Sequence, residues 1–551
     1  MLANKAPVSR VVLTIVHRIS LIVIVGTIAP TFAKDGTTDL GPGCAPERPA
    51  VPHHAGGALA NRVDDQSAPI PCATATGYRT NEISVIVTNN GTVLFEPALK
   101  TQATGLPVGV LRSVDEGQSW NFIDPSTTPA RTSGNDMNMW IDRDTGRVFW
   151  SNSLGAVLKE HLDISDDDGQ TWSSSSMVPL NYDHTQIFSG PPSESVEPLL
   201  NGYPNVVYVV VSGGYTCGAF GSPCGTHLSR SLDGGLTWGT PVGVPFPPEC
   251  AAPGSNPIGG YGLNGVVGHD GTVYLPFTPC ERPYVAISHD SGNTWELSLV
   301  NDTHTLGWGE LGVGIDKQGN LYASWSGATD RLLYMATSRD RGLHWSKPLM
   351  ITAPGVHETA LPQLAVGAKG QVAVSYYGSK TAPLPFPPPC IVGSPTGDLG
   401  FGYLNQGSSV DCPAYSSETW DTYITETFNA LDELPLFWSA TLNDPALPTW
   451  YGITPSALRI AEPPPGVTGG VNDEWPGGAT SEVSGGGRVD YFSITMSQDN
   501  TPWVGFVQEC PNGLPVPGNL NCPSTLIGSN SDGAFGFVGR LVRVHGNGTG
   551  E

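Results

Sequence analysis

Charge is scarce and one-sided in this chain. Only 14% of its 551 residues are charged, and 26 basic side chains face 50 acidic ones, for a formal net charge of −24. A surface of that sign repels phosphate backbones and argues against a nucleic-acid partner. It also repels polyanionic glycans unless a local basic pocket overrides the field. Beyond the N-terminus no apolar run approaches the roughly 20 residues that a membrane helix needs. The chain has no Cys-x-x-Cys pair, so its cysteines do not read as a zinc site. A Gly-x-Ser-x-Gly elbow, a P-loop and a His-Glu-x-x-His pattern are missing as well, which removes three common catalytic signatures.

Glycine and proline are plentiful instead, at 69 and 50 residues. Both interrupt helices and favour turns, which excludes a helical bundle or coiled coil. With 39% hydrophobic residues, 14 Trp, 17 Tyr and 16 Phe, the chain has enough apolar surface to fold. The composition thus argues against both helical rods and disorder.

The first residues read as an export signal. Lys5, Arg10 and Arg18 precede the apolar stretch Ile19–Ala29, and Thr31-Phe32-Ala33 supplies the small residues of a cleavage site. The expected division is a signal peptide over 1–33, an irregular lead-in over 34–78 and one repeat domain over 79–545. Cleavage would leave a secreted, extracellular protein with no transmembrane segment. All 10 cysteines lie after residue 33, and an even number in an exported chain reads as disulfides. Pairing between sequence neighbours costs the least loop entropy.

Self-similarity is the strongest signal. One octapeptide occurs five times, as SVDEGQSW, SDDDGQTW, SLDGGLTW, SHDSGNTW and SRDRGLHW, with the turn acid counted at Asp115, Asp168, Asp233, Asp290 and Asp340. An Asp accepting from its own turn and a Gly free to take positive φ make a hairpin corner. A catalytic loop would not be needed five times, so the octapeptide reads as scaffold. Seven β-hairpins of alternating pattern accompany it, from SVIVTNNGTVLF to TMSQDNTPWVGF. The fourth to last of them include VVGHDGTVYLPF, and the third is LLNGYPNVVYVVV. The first five hairpins are followed by the octapeptide and the last two are not. An insertion rich in Pro, Gly and Ser spans about 380–418. A period near 50 residues with about four strands per unit is that of a β-propeller, an all-β fold, with seven blades by this count.

The octapeptides resemble the Asp-box, or BNR, repeats of the sialidase-like propellers, and the resemblance covers 79–545. Family membership would imply six blades, the alternative to seven. SGNDMNMWIDRDTGRVF resembles the sialidase segment that carries the acid/base aspartate, here Asp136. DYFSITMSQDN resembles the segment that carries the nucleophilic tyrosine, here Tyr491. The phrase that would hold the first substrate arginine is replaced by GYRTNEIS, with Arg79 near by. The position of the tyrosine's glutamate falls at Val267, and that of the arginine after it near Thr278, with Arg282 a few residues on. Arg331 and Arg488 complete the set of arginines that could meet a substrate carboxylate.

Register points to one end of the propeller axis. Asp136, Asn264 and Glu310 stand at matching positions, each six residues before a hairpin-turn aspartate. Glu82, Glu197, Glu358 and Tyr491 take early positions in the other four units. Two carboxyls about 5–10 Å apart can hydrolyse a glycosidic bond, with Glu310 or Glu197 assisting Asp136 and Tyr491. Converging oxygen ligands could alternatively hold Ca²⁺, although no metal or other cofactor is needed for the hydrolytic reading. Expectations therefore run to a secreted sialidase-like glycoside hydrolase acting on extracellular carbohydrate. From a different class comes a non-catalytic propeller that binds a glycan or protein partner. Trp140, Trp308 and Trp325 offer faces for sugar stacking or for the core.

Overall fold

A computed structural model of the chain describes residues 40–60, 68–79, 83–96, 109–125, 138–153, 159–181, 185–213, 225–250, 264–302, 311–327, 329–381, 419–451, 493–509 and 534–543. These residues form thirty strands and a few 3-10 turns, with no α-helix among them. The strands make seven antiparallel sheets, the blades of a propeller.

Blade 1 holds β3 (Ser84–Val87), β4 (Val93–Glu96), β5 (Val110–Ser113) and β6 (Asn121–Ile123). Blade 2 holds β7 (Met139–Ile141), β8 (Val148–Ser153), β9 (Lys159–Ser165) and β10 (Ser173–Asn181). Blade 3 follows with β11 (Gln186–Gly190), β12 (Val206–Gly213), β13 (Gly225–Ser231) and β14 (Val242–Gly243). Blade 4 is β15 (Val266–Val267), β16 (Val273–Phe277), β17 (Tyr284–Ser288) and β18 (Glu296–Leu299). Blade 5 is β19 (Gly312–Ile315), β20 (Leu321–Ser326), β21 (Leu333–Ser338) and β22 (Leu349–Met350). In blade 6, β23 (Glu358–Val366), β24 (Val372–Ser379), β25 (Thr419–Thr427) and β26 (Phe437–Thr441) gain β1 (Val51–His53) on the edge, while β27 (Trp450–Tyr451) pairs with β25. Blade 7 combines β28 (Ser493–Met496), β29 (Pro502–Glu509) and β30 (Ala534–Val542) with β2 (Ile70–Arg79) from the other end of the chain.

The ring closes. β3 touches β7, β7 touches β11, and the contacts continue through β15, β19, β23 and β28 back to β3. Side chains tie these inner strands together where no ladder does. Val85 N donates to Ser493 Oγ at 3.0 Å, Met139 N to Ser84 Oγ at 2.9 Å, and Trp140 Nε1 to Ser189 Oγ at 3.0 Å. The apolar core lies between blades rather than at the axis. Ile86, Leu94, Met139 and Trp150 fill the interface of blades 1 and 2, and Phe149, Ile187, Val207 and Val209 that of blades 2 and 3.

Each octapeptide is a corner of the kind its sequence dictates. In the second copy Asp167 accepts from Thr171 N at 2.8 Å, Thr171 Oγ1 at 2.6 Å and Ser165 Oγ at 2.9 Å, while Gly169 N donates to Ser165 Oγ. Burial pushes the Asp167 carboxyl up, but the bonds from Thr171 and Ser165 outweigh it and hold the group below the ordinary range. The turn acid of this copy is thus Asp167 and not Asp168. Asp168 occupies the next position, at φ +57°, where Glu116, Ser291 and Arg341 stand in three other copies. The octapeptide glycine also docks the turn on the preceding blade. A Cβ on Gly169 would lie 2.7 Å from Leu94, and one on Gly292 would lie 2.7 Å from Leu228. Trp172 likewise packs into the interface of blades 1 and 2, edge-on to Trp150.

Arginines reinforce the same joints. Arg112 Nε donates to Asp168 O at 2.9 Å, Arg230 Nη1 to Ser291 O at 3.0 Å, and Arg540 meets Glu116 at 2.6 Å. Arg339 donates to Leu431 O. In each case an arginine in a third strand, or for Arg339 just past its end, reaches the corner of the next blade.

Residues 70–79, all but the last of which fall within the lead-in expected from sequence, are the fourth strand of blade 7. Their ladder with β30 supplies hydrogen bonds that a poorly alternating, Pro-containing segment does not advertise. Among the described residues two disulfides join sequence neighbours, Cys44–Cys72 and Cys250–Cys280. No helix among the described residues is long and apolar enough to cross a membrane.

Candidate functional site

The antiparallel order of each blade sets two rims. The inner strands start at one rim, the mouth, where the second-to-third-strand connections also lie. The other rim carries the inner hairpin turns and the octapeptides. Inside the ring is a channel of ≈ 300 Å³ lined by residues of all seven inner strands or their immediate flanks.

The wall of the channel mixes apolar side chains with neutral polar groups. Asn138, Gln186 and Asn264 come from adjacent blades 2, 3 and 4, and Gln363 from blade 6. Asn138 Nδ2 donates to Gln186 Oε1 at 3.3 Å, whereas Asn138 Oδ1 and Asn264 Oδ1 have no hydrogen-bond partner among the described residues. A buried carbonyl oxygen without a donor costs about 1–3 kcal/mol, which a bound water or ligand can recover. Trp140 is half-buried in the same wall, its ring fixed by the bond to Ser189.

Arg143 lies at the far end, just past β7. Its Nη1 donates to Val87 O at 2.7 Å and its Nη2 to Met496 O at 2.5 Å, so it bridges the ends of β3 and β28. Burial lowers its pKa to about 10.

At the mouth, blades 5 and 6 share a buried ion pair. Arg331 Nη1 donates to Glu358 Oε1 at 2.6 Å, and the Glu358 side chain is 2% exposed. Burial raises the Glu358 pKa, and Arg331 opposes the rise. Thr359 N and Thr359 Oγ1 both donate to Arg331 O, at 2.8 and 2.9 Å, which fixes the arginine's loop against β23. The backbone is strained on both sides of the pair. Arg331 stands at φ +58°, and Leu361, in a bulge of β23 between Ala360 and Gln363, at φ +54°. A buried leucine at positive φ is costly, and such residues gather where geometry matters for function. Bulges likewise re-aim side chains beside sites.

A second mouth cluster surrounds the Cys250–Cys280 bridge. Tyr284 OH donates to Glu249 Oε1 at 2.6 Å, and Arg282 Nη1 lies 3.0 Å from Asp302 Oδ1.

The sequence candidates are distributed as follows. Asn264 lines the channel. Arg331 and Arg282 are at the mouth but engaged with Glu358 and Asp302. Arg79 is the last residue of β2, the outermost strand of blade 7, away from the inner edge. Glu197 is exposed in a 3-10 turn within the connection from β11 to β12, at the rim opposite the mouth. The early position of blade 3 belongs to Gln186, because the first strand of that hairpin is QIFSG and not the segment around LLNGYP. Asp136, Glu310, Glu82, Tyr491 and Arg488 lie outside the described residues, as does Trp308. The first four of them precede β7, β19, β3 and β28 by two or three positions. Trp325 is a core residue, 1% exposed. Among the described residues no three His, Cys, Asp or Glu side chains gather to hold a metal ion.

Register could have found Asn138 and Gln186, since each stands at the start of an inner strand. Glu358 was visible as an early carboxyl, but its partner comes from another blade and leaves no trace in the local pattern.

No protein-family model matches the chain, and no curated protein sequence does. Solved structures do. Sialidases are among its structural neighbours. The sialidase NanB from Streptococcus pneumoniae is 11% identical with a TM-score of 0.35, over 58% of this chain and 68% of that one. The endosialidase of phage phi92 is 13% identical with a TM-score of 0.39, over 87% and 70%. A protein of unknown function from Dyadobacter fermentans is 12% identical with a TM-score of 0.38, over 86% and 98%.

Proposed function

We propose that the protein is exported and processes extracellular carbohydrate at the mouth of its channel, as a sialidase-like glycoside hydrolase. Asp136 would act as acid/base and Tyr491 as nucleophile or substrate contact, with Glu310 as the assisting carboxyl. The observation that carries this reading is topological. The inner strands that directly follow Glu82, Asp136, Glu310 and Tyr491 all start at one rim around one channel. β7 and β28, which follow Asp136 and Tyr491, both flank β3 in the ring. Glycosidic hydrolysis needs an acid and a nucleophile or base on two sides of one bond, which convergent inner strands are suited to supply. The disulfides Cys44–Cys72 and Cys250–Cys280 accord with an oxidising compartment.

The test is turnover of a panel of aryl glycosides, including a sialoside, by the full chain. Asp136→Asn and Tyr491→Phe should each abolish hydrolysis while leaving the unfolding transition in place. Glycan binding without turnover, unchanged in both variants, would assign the protein instead to non-catalytic recognition at the same rim.

A further inference from the structure

We infer that the channel mouth takes an uncharged sugar residue, recognised through side-chain amides, rather than a sugar bearing a carboxylate. This deepens the proposed function and rests on it.

Asn138, Gln186 and Asn264 project from three successive blades into one wall, joined by Gln363 across the channel. An amide offers a donor and an acceptor side by side, and a sugar hydroxyl is likewise both. The carbonyl oxygens of Asn138 and Asn264 lack a donor among the described residues. The terminal torsion of Asn is broad, so either oxygen can turn toward a ligand in the channel. Trp140 adds an apolar face beside them, suited to the C–H side of a pyranose or furanose ring.

A carboxylate would need guanidinium groups, and the arginines described at the channel and its mouth are already engaged. Arg331 is held by Glu358, Arg282 by Asp302, and Arg143 by the carbonyls of Val87 and Met496. Arg112, Arg230, Arg339 and Arg540 clamp neighbouring blades at the other rim. Freeing Arg331 would leave a buried carboxylate unpaired, and freeing Arg143 would leave two strand-end carbonyls unpaired. The net charge of −24 opposes an incoming anion besides.

The experiment compares matched ligands. The full chain is screened on an array of uncharged oligosaccharides with their sialylated and uronate-capped counterparts, and the best neutral ligand and its sialylated form are then titrated calorimetrically. The neutral member should bind about tenfold or more tightly than the sialylated one, and Asn264→Ala and Gln186→Ala should each weaken it by about tenfold with the melting transition unchanged. Equal or tighter binding of the sialylated member overturns the inference and leaves carbohydrate processing standing. Neutral binding that neither variant weakens also overturns it, since the amides would then not form the subsite. Failure to bind any glycan overturns both.

Discussion

The two rims of this propeller are built by different rules. At the turn rim five copies of one octapeptide solve the same problem with the same bonds. Ser, Asp and the hydroxyl or imidazole two residues beyond the glycine close each corner within eight residues, and the glycine seats it on the blade before. Among the described residues of the mouth no such motif recurs. One interface uses Arg331 and Glu358 beside a strained bulge, and another a disulfide with a Tyr284–Glu249 bond. Repetition marks the end that holds the fold, because every blade needs the same corner. The end free of repetition can vary residue by residue, and there a single constellation can be assembled for chemistry.

The mouth pair offers the sharpest way to break that contrast. Glu358 is buried with Arg331 as the hydrogen-bond donor to its carboxylate. Removing one member of a buried pair strands the other, at a cost of about 3–5 kcal/mol. Arg331→Ala should therefore lower the unfolding free energy by that much, read from the shift of the urea midpoint, more than any single corner substitution. The double variant Arg331→Met/Glu358→Leu should recover much of the loss. A cost below about 1 kcal/mol, the scale of an exposed pair, would show that the mouth is not held together in this way.

Much of the scaffold was legible in the sequence. Seven hairpins and seven sheets agree, and the octapeptides fall at third-to-fourth-strand corners. The two units without an octapeptide differ for separate reasons. Blade 7 has no such corner, since its fourth strand is β2, delivered from the opposite end of the chain. Blade 6 has one in degenerate form. There Thr427 Oγ1 and Asn429 Oδ1 pair at 3.1 Å where the other blades pair Ser and Asp, and Leu436 N donates to Asn429 Oδ1. The longer spacing to Trp438 hides it. Glu197 was misplaced because the apolar residues around Leu199 and Leu200 imitate a strand, while Ser193 and Pro198 set a 3-10 turn. Which arginines are free could not be read at all. Arg331 meets Glu358 and Arg143 meets Met496 O across 27 and 353 residues, and only the closed ring brings such partners together.

Blade 6 also sharpens the comparison at its own turn rim. Glu426, near the end of β25, is buried and accepts from Gln371 Nε2 at 2.8 Å, and Gln371 Nε2 donates to Asn500 O of blade 7. Burial pushes the Glu426 pKa up to about 8. The folded chain therefore keeps a proton that the unfolded chain releases near its ordinary value, so this group makes stability fall as pH rises from about 4.5 to about 8. One proton sets a limit of about 1.4 kcal/mol per pH unit on that slope. Glu426→Gln keeps an acceptor for Gln371 and cannot ionise. It should flatten the urea midpoint across this window and stabilise the protein at pH 8. An unchanged slope in the variant would mean that Glu426 is charged where it sits.

The corners themselves should give the smallest and most uniform effect. Asp115, Asp167, Asp233, Asp290 and Asp340 each accept from the backbone N–H four residues on and from that residue's side chain. The carboxylates are largely solvated, so the ionic contribution is screened and the loss on substitution is that of a few hydrogen bonds, about 1–2 kcal/mol. Alanine at any one of the five positions should lower stability by that amount, and two such changes in non-adjacent blades should add. Any glycan binding should stay untouched, because these corners lie at the rim away from the mouth. If Asp290→Ala or another single corner variant abolished binding while the melt moved by only this amount, the separation between a repeated scaffold rim and a unique functional rim would fail at that blade.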